Sequence, residues 1–346
     1  MKPSPKPIKM ETTKMPTHYL YGTILTNEAV AANNRGDNIG NTTTLQKVFH
    51  QDDVYTSVSA EAIRFALRYR FQLEAIDEVN RSYDSSTGKL EYQDEKRTRW
   101  NPESEVFIDD DLMGFMAAEA AAKEKEEDVD KEEESDEPKA KKTKAKPKGK
   151  TTKRQSPLAV GRAVSLRPYR GEVSFNCVSG EKKKGQLSLY GAEMHTTEYQ
   201  YSFGLNLNDV VKKKHIASLI EAIIDPPQVA GNHSRFAYDF SPASIVLRIT
   251  NAHSSKIQNC FEHDEEERTY TIARLINRVE SGDIPTSEII IGGDVTKTEE
   301  GKKLKELGVT VFSGVIAAAN EAKIRIAAIE GYSEVAPTPS KVGGVA

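Results

Sequence analysis

The feature that most constrains the fold is a densely charged block in the middle of the chain. Residues 123–137 contain 10 acidic residues and 3 lysines, whereas residues 138–154 contain 9 Lys/Arg and no acidic residue. Neither half offers enough apolar side chains to offset the entropy lost on folding. We therefore predict that residues 117–157 are a disordered, charged insertion between two strands, and that the folded region is assembled from the sequence on either side.

The length and termini predict one interrupted folded region. A chain of 346 residues can form one large domain or two ordinary ones. We predict that residues 17–332 form this region, with a flexible Pro/Lys-rich segment at 1–16 and a flexible tail at 333–346. Two cysteines give no disulfide framework, and neither a signal peptide nor a membrane span is visible, so a cytoplasmic protein without membrane contact is expected.

The net charge of −4 alone argues weakly against nucleic-acid binding, but the distribution of charge is uneven. Residues 151–215 carry 11 Lys/Arg against 5 Asp/Glu, and residues 262–300 carry 4 against 11. The middle of the chain can therefore offer a footprint for phosphates, whereas the later part should face solvent or avoid them.

Strand and helix patterns mix without regular βαβ alternation or an internal repeat. Alternation of apolar and polar residues predicts strands at 19–26, 160–166 and 199–207, and apolar runs predict buried strands at 245–249 and 288–292. Helical spacing predicts helices at 59–79, from Asn208 or Asp209 to Ile224, and near 267–280. A glycine-bracketed basic turn predicts a long hairpin over residues 173–195.

The positions that best suit a binding function are basic and polar residues in predicted loops and on one helix. Cations neutralise phosphates, amides and hydroxyls fix register, and aromatic rings stack on unpaired bases. The candidate RNA-binding residues are Asn33, Asn34, Arg35, Asn41, Thr42, Lys47, Arg64, Arg68, Arg162, Arg167, Lys182, Lys183, Lys184, His195, Asn232, His233 and Arg235.

Catalytic and metal motifs are weak by comparison. The glycines at 292–293 and 301 do not make a phosphate loop, and no motif for a serine nucleophile occurs. Cys260 and His263, with His253 nearby, lack a fourth zinc ligand in reach. Asp109–Asp111 could hold Mg²⁺, but we predict that these aspartates mark the end of a strand. No metal and no cofactor are expected.

Four segments together resemble the backbone subunit of the CRISPR Cascade complex, in the DevR/Csa-type autoregulator branch of the repeat-associated proteins. Their order and spacing carry the resemblance, which extends over most of residues 17–332 outside the charged insertion. The segments are Tyr21–Asn27 with Asn33–Gly36, Ser59–Arg68, Asp111–Met116, and His195–Tyr201 with Gly231–Phe236.

The resemblance implies an α+β fold: a modified RRM, ferredoxin-like palm with helical insertions (fingers) and a protruding β-hairpin (thumb). It also implies a non-catalytic subunit of a type I effector that multimerises along CRISPR RNA and displays it for pairing with target DNA. The implied partners are further copies of the chain, the subunit that binds the 5′ handle, and the large and small subunits. By this resemblance, the 33–47 loop, Arg64 and Arg68 lie against the guide backbone, residues 173–195 form the thumb, and the 232–235 loop closes the groove.

One departure from related subunits bears on mechanism. Subunits that cut target RNA use an aspartate in the first loop, whereas the loop after Asn41 reads Thr-Thr-Thr-Leu-Gln-Lys here. Asp37 is the remaining candidate, and we predict no cleavage. The alternative is a metal-dependent endoribonuclease that uses Asp109–Asp111, with His195 or His233 as general base. A transcriptional autoregulator ranks last, because no helix-turn-helix signature occurs.

Overall fold

The structure of the protein is a computed structural model, which describes residues 16–32, 38–50, 52–103, 106–118, 151–177, 189–230, 238–264 and 269–337. These residues form six α-helices and twenty strands. The helices are α1 (Ala60–Glu74), α2 (Ile108–Met113), α3 (Lys214–Ile224), α4 (Ala273–Glu280), α5 (Glu299–Glu306) and α6 (Val315–Ala327). The strands are β1 (Tyr19–Thr26), β2 (Ala29–Ala31), β3 (Asn38–Ile39), β4 (Thr42–Thr43), β5 (Lys47–His50), β6 (Asp53–Val58), β7 (Arg81–Asp84), β8 (Lys89–Tyr92), β9 (Phe115–Ala118), β10 (Thr151–Arg154), β11 (Leu158–Val160), β12 (Ala163–Ser165), β13 (Glu172–Cys177), β14 (Leu189–Thr197), β15 (Tyr199–Asn206), β16 (Pro242–Thr250), β17 (Glu262–Asp264), β18 (Thr269–Thr271), β19 (Ile289–Gly293) and β20 (Thr310–Phe312).

A nine-stranded sheet forms the centre of the fold, and it confirms the expected mixture of α and β structure. Its order is β20-β19-β16-β1-β15-β12-β6-β5, with β11 also paired to β15. β1 lies antiparallel between β15 and β16, and β19 pairs with β20 in parallel. β1 precedes the charged insertion in the sequence, whereas β15 and β16 follow it. The two flanks of the insertion therefore fold together in one sheet.

Both faces of this sheet carry apolar side chains. On one face, Leu20 and Ile24 of β1 and the alternating Tyr201, Phe203 and Leu205 of β15 pack with α1, α3 and α6, which we call the first core. On the other face, Leu25, Val246 and Ile291 pack with α4 and α5, which we call the second core. The second core covers the β19, β16 and β1 part of its face and includes Leu166, which follows β12. The end formed by β12, β6 and β5 is therefore left without a covering helix.

A smaller sheet projects from this uncovered end, and we call it the arm. β14 pairs with β13 over Glu172–Cys177, with β4 in parallel, and with β2 near its end, while β3 pairs with β4. β14 then passes through residue 198 into β15 of the central sheet. The predicted hairpin at 173–195 thus consists of β13 and most of β14, and its identity as a thumb stays a prediction. The tip, which contains Lys182–Lys184, lies outside the described residues.

The charged insertion is bracketed by a two-stranded ladder. β9 and β10 pair with Thr151 opposite Ala118 and Arg154 opposite Phe115. The predicted bounds of the insertion, residues 117–157, are therefore too wide, because residues 117–118 and 151–154 pair as strands. Residues 119–150 themselves lie outside the described part of the chain.

Two predicted helices begin or end elsewhere in the structure. The helix predicted at 59–79 ends at Glu74 and is followed by a 3₁₀ turn at Ile76–Glu78. Ser59 caps it as expected, because its side chain accepts a hydrogen bond from Ala62 N. The helix predicted from Asn208 or Asp209 begins only at Lys214, so neither residue is its cap.

The aspartates at 109–111 were predicted to mark a strand end, and this prediction is wrong. They lie in α2, whose six residues are all buried. The predicted tail at 333–346 also starts with ordered structure, since Ser333–Val335 form a 3₁₀ helix and Val335 is buried.

Candidate nucleic-acid interface

The uncovered end of the central sheet presents a polar surface, which we call the open face. Ser57, Val164 and Gln200 are successive partners across β6, β12 and β15, so their side chains share the side opposite the first core. Arg162 lies on the same side, because its Nη1 atom is 3.2 Å from both Ser57 Oγ and Gln46 Oε1. Arg162 and Gln46 are exposed, Ser57 is buried beneath Arg162, and Gln200 donates through Nε2 to Phe261 O at 2.8 Å. The open face therefore presents a cation and an amide to solvent.

The charge of Arg162 has no acidic partner among the described residues. Its side chain is exposed, and its two hydrogen bonds go to the neutral side chains of Gln46 and Ser57. Neutral acceptors orient a guanidinium without cancelling its charge. At the edge of the open face, the rings of His50 and Tyr55 meet edge to face, with their centroids 6.2 Å apart. This combination of a free cation and aromatic rings suits contact with phosphates and unpaired bases.

The arm carries a row of exposed apolar side chains. Phe175, Gly191, Thr42 and Ile39 are successive partners across β13, β14, β4 and β3 and therefore share one face. Phe175 is 80% exposed and Ile39 is 74% exposed. Thr42 packs directly over Gly191, where a Cβ atom would lie 2.6 Å from Thr42 Oγ1. The glycine thus permits close strand pairing and leaves Phe175 projecting from the surface.

The root of the arm is fixed by a buried chain of hydroxyl groups. Thr56 Oγ1 lies 2.8 Å from His195 Nδ1 on the arm strand and 2.8 Å from Tyr199 Oη on the sheet strand. Tyr238 Oη lies 2.8 Å from Thr26 Oγ1 and donates to Thr197 O at 2.9 Å. Buried hydrogen bonds of this kind stabilise one orientation of the arm relative to the central sheet, because breaking them leaves buried polar groups without partners.

His195, a predicted RNA-binding residue and the alternative general base, is part of this root. Its side chain is buried, and burial lowers its pKa to about 4, while Arg167 acts in the same direction and a hydrogen bond to the Pro168 carbonyl opposes the change. The imidazole is therefore neutral at physiological pH and positions the arm.

Two further predicted residues, Lys47 and Arg167, form ion pairs at the outside of the root. Glu193 on β14 accepts hydrogen bonds from Lys47 Nζ at 2.5 Å and from Leu45 N at 2.7 Å. Arg167 binds Glu198 through Nε at 3.1 Å and Nη2 at 3.0 Å. Arg167 also pairs with Glu28. Acidic side chains thus offset both cations, which fasten the arm to the sheet.

Arg64 and Arg68 lie in a different place from the open face. They belong to α1, which packs on the first core and hence on the opposite side of the sheet. Arg64 donates to Leu158 O and Met113 O, each at 2.9 Å, and Arg68 donates from Nε to Asp109 Oδ2 at 3.3 Å. Their predicted contact with guide RNA stays a prediction, and much of their hydrogen-bonding capacity serves the fold.

The carboxylates of Asp109–Asp111 are saturated by protein donors. Asp109 accepts from the backbone N of Asn80 and Arg81, and Asp110 accepts from Asn80 Nδ2 and Arg97. Asp111 accepts from Arg154, His215 and the backbone N of Val211 and Lys212. The cluster ties α2 to α1, α3, β7 and β10.

In the described part of the chain, no group of three His, Cys, Asp or Glu side chains is placed to hold a metal ion. Cys260 is buried, and burial raises its thiol pKa to about 12. His253 instead lies 2.8 Å from Tyr19 Oη through Nδ1. No helix in the described residues is long and apolar enough to cross a membrane.

Of the remaining predicted residues, Asn41 and Thr42 are described and lie in the arm. Asn41 O accepts from Gly191 N at 3.0 Å, and the Asn41 side chain is exposed. Asn33, Asn34, Arg35, Lys182, Lys183, Lys184, Asn232, His233 and Arg235 lie outside the described residues. The structure thus groups Asn41, Thr42, Lys47, Arg162, Arg167 and His195 around the arm and the open face.

Sequence reasoning missed several residues of this surface. Gln46 lies inside the predicted loop and Ser57 follows it, and neither was selected, because only the fold brings them to Arg162. Phe175 could have been found from the alternation of Val173, Phe175 and Cys177, which places three apolar residues on one face of a predicted hairpin.

Comparison with known proteins agrees with this architecture. Two solved chains match with full probability at 12% and 13% identity, one from a CRISPR RNA-guided surveillance complex and one from such a complex in a pre-nicking state. Their TM-scores are 0.51 and 0.53, and each match covers 88% of this chain and 99% or 100% of the solved chain. At this identity the likeness establishes the fold alone.

Sequence comparison establishes the family. The CRISPR-associated protein Cas7/Cst2/DevR of Myxococcus xanthus (strain DK1622) is 36% identical over 319 residues, which cover 89% of this chain and 97% of that protein. The family described as CRISPR-associated negative auto-regulator DevR/Csa2 matches residues 22–277. The chain therefore belongs to the CRISPR-associated DevR/Csa2 family.

Proposed function

We propose that this protein is a non-catalytic backbone subunit of a type I CRISPR effector, which multimerises along guide CRISPR RNA. The observation that carries the proposal is the open face, where the exposed Arg162 contacts Ser57 and Gln46 and has no acidic partner among the described residues. An exposed cation on a flat sheet with polar and aromatic neighbours is the arrangement that single-stranded RNA binding requires. Membership of the DevR/Csa2 family supports RNA as the polyanion.

In this proposal the arm acts on the guide of a neighbouring copy. Phe175 projects from the arm with most of its surface in water, and an exposed aromatic ring on a rigid support can stack against or displace a base. Repeated along a filament, such arms would divide the guide into segments open for pairing with target DNA. Binding of the other effector subunits at the filament ends belongs to the same proposal.

We infer a structural role because the described residues of the endoribonuclease alternative, Asp109–Asp111 and His195, are committed to contacts within the fold. The aspartates at 109–111 are held by protein donors, and the His195 imidazole is buried in the arm root. Asp37 and His233 lie outside the described residues, so substitution must test them. A purified assembly that cuts RNA in a Mg²⁺-dependent manner, and loses cutting on Asp37→Asn or His233→Ala, would replace this proposal with the endoribonuclease alternative.

The decisive experiment removes the charge of Arg162. Arg162→Gln should weaken binding to guide-length RNA and reduce the slope of log K against log salt by about 0.7, the value for one contact with a single strand. The matched control is Lys302→Gln, which removes an exposed charge on α5 whose Nζ is paired with Glu299. Equal effects of the two substitutions would refute the open face as the guide surface.

Assembly and protection provide a second readout. The wild-type protein should form multimers with repeat–spacer RNA, sediment as a smaller species without it, and protect the bound RNA from nuclease. Arg162→Gln should raise the RNA concentration that is needed for assembly. It should not change the thermal midpoint of unfolding, since the side chain is exposed. Multimers of equal size formed by protein from which all RNA has been removed under denaturing conditions before refolding would contradict an RNA-templated filament.

A further inference from the structure

Three aromatic side chains form a group on the side of the central sheet that also carries the open face. Tyr19 and Tyr21 are two residues apart on β1, so their rings project to the same side, where Tyr21 packs against the second core. The two rings are nearly parallel, with centroids 5.6 Å apart. The ring of His253, which follows β16, meets the ring of Tyr19 edge to face at a centroid distance of 5.4 Å. We call these three residues the aromatic shelf.

Hydrogen bonds hold the tyrosine rings of the shelf in a fixed orientation. Tyr19 Oη lies 2.8 Å from His253 Nδ1, and Tyr21 Oη donates to His253 O at 2.8 Å. Tyr19 is half-buried and His253 is exposed. A ring that is already fixed loses little conformational entropy when a ligand stacks on it. The shelf is therefore preorganised for contact with a flat ligand.

The strands beside Tyr21 leave room for such a ligand. Tyr21, Gly204 and Ala159 are successive partners across β1, β15 and β11, so they share one side of the sheet. A Cβ atom on Gly204 would lie 3.0 Å from Tyr21 Cδ1, so the glycine lets the ring lie across β15. Ala159 is exposed and carries only a methyl group. Neither Gly204 nor Ala159 can therefore cover the surface next to the ring.

The shelf and Arg162 lie within reach of one short strand of nucleic acid. Arg162 follows Ala159 by three residues, which span about 10 Å of extended chain. Ala159 is two strand spacings, also about 10 Å, from Tyr21. A strand whose phosphate contacts Arg162 can thus place a nearby base on the shelf.

The local charge favours a base over a phosphate at this point. Asn206 is the partner of Tyr19 on β15, and its Nδ2 atom donates to Asp209 Oδ2 at 2.7 Å. This contact holds a carboxylate close to the shelf, and a carboxylate repels a phosphate. An uncharged base can stack on an aromatic ring whatever its identity, because every base has a π-face.

We propose that Tyr19, backed by Tyr21 and flanked by His253, stacks on an unpaired base of the RNA whose phosphates contact Arg162. The inference rests on the proposed function, since it takes RNA as the ligand of the open face, and it adds a contact without charge. Phosphate contacts release counterions and weaken as salt rises, whereas stacking on a neutral ring does not depend on that release. The two contacts should therefore respond differently to salt.

The test compares Tyr19→Leu, which removes the ring, with Tyr19→Phe, which keeps the ring and loses only the hydroxyl group. Tyr19→Leu should lower the affinity for single-stranded RNA about fivefold or more, the smallest effect expected for one stacked base. The loss should be the same at about 50 and about 200 mM salt. Tyr19→Phe should bind within about twofold of wild type. Tyr92→Leu is the matched control, because it removes a tyrosine that is 40% exposed on β8.

A second variant covers the case in which Tyr19→Leu lowers the thermal midpoint of unfolding. Ala159→Gln changes an exposed residue and extends a longer side chain into the surface next to the Tyr21 ring. It should leave the midpoint unchanged and lower RNA affinity with the same indifference to salt.

The outcomes separate the shelf from the open face. If Tyr19→Leu and Tyr92→Leu bind alike, or if the loss in Tyr19→Leu shrinks with salt as it should for Arg162→Gln, the stacking site is refuted. Weaker binding of Arg162→Gln together with full binding of Tyr19→Leu and Ala159→Gln refutes the shelf and leaves the proposed function intact. Full binding of Arg162→Gln together with the expected loss in Tyr19→Leu supports the shelf and refutes Arg162 as the guide contact.

Discussion

Acid should destabilise this protein through His195, and the size of the effect follows from its burial. Burial lowers the pKa of His195 to about 4, against about 6.5 for histidine in an unfolded chain. Below pH 6.5 the His195 imidazole takes up a proton in the unfolded state but stays neutral in the folded state. The free energy of unfolding therefore decreases as the pH falls from about 6.5 to about 4. At pH 5 the unfolded histidine is almost fully protonated and the folded one is about one-tenth protonated, which corresponds to a loss of about 2 kcal/mol relative to pH 7.5.

Urea unfolding at pH 7.5 and pH 5 isolates this contribution. The wild-type protein should lose about 2 kcal/mol more between the two conditions than His195→Gln, which cannot take up the proton. The control is His50→Gln, which changes an exposed histidine of β5 and should leave the wild-type difference intact. If wild type and His195→Gln lose equal stability, the imidazole is not held neutral by the arm root, and the reasoning fails.

Three other substitutions test the architecture. Asp111→Asn should cost about 3–5 kcal/mol in urea unfolding, because it breaks a buried charge pair, and a loss below about 1 kcal/mol would contradict its role as a hub. Gly22→Ala should cost about 1–3 kcal/mol, since its Cβ would lie 2.2 Å from the Phe203 ring, whereas Gly314→Ala meets nothing within 4 Å and should cost less than about 1 kcal/mol. Phe175→Ser should leave stability within about 0.5 kcal/mol but reduce sedimenting RNA assemblies, and a marked loss of stability would show that the ring is packed in the monomer.

Strands of the central sheet could be predicted from the sequence because their signal is local. Tyr201, Phe203 and Leu205 alternate with polar residues, and all three lie in the first core. The apolar runs at 245–249 and 288–292 likewise correspond to β16 and β19. Burial on one or both faces of a sheet leaves a pattern that a short window of sequence can reveal.

The start of α3 could not be predicted, because the turn that precedes it is held from far along the chain. Asp111 accepts hydrogen bonds from Val211 N and Lys212 N, which come before the helix, and it is separated from them by 100 residues or more. A negative side chain near the N-terminus of a helix also interacts favourably with the helix dipole. Asn208 satisfies a different donor, since its Oδ1 atom accepts from His18 N.

The candidate site shows the same division between local and distant information. Arg162 could be selected from its charge, because cations in loops are visible in the sequence. Whether a cation remains available depends on its partners: Lys47 is paired with Glu193, 146 residues away, whereas Arg162 meets the neutral Ser57 and Gln46. Pairing across the sheet, rather than composition, separates a binding residue from a structural one.

The rigid root of the arm bears on how a filament could keep a constant repeat. β14 continues into β15, and Thr56 ties His195 on one strand to Tyr199 on the other, so the arm and the open face share one framework. If guide RNA bound a loosely hinged arm, each copy would lose the entropy of ordering it, whereas an arm held in place beforehand avoids that cost. The distance between Arg162 and Phe175 is then a property of each folded copy. Under the proposed function, the spacing of displaced bases is set by the protein rather than by the RNA sequence.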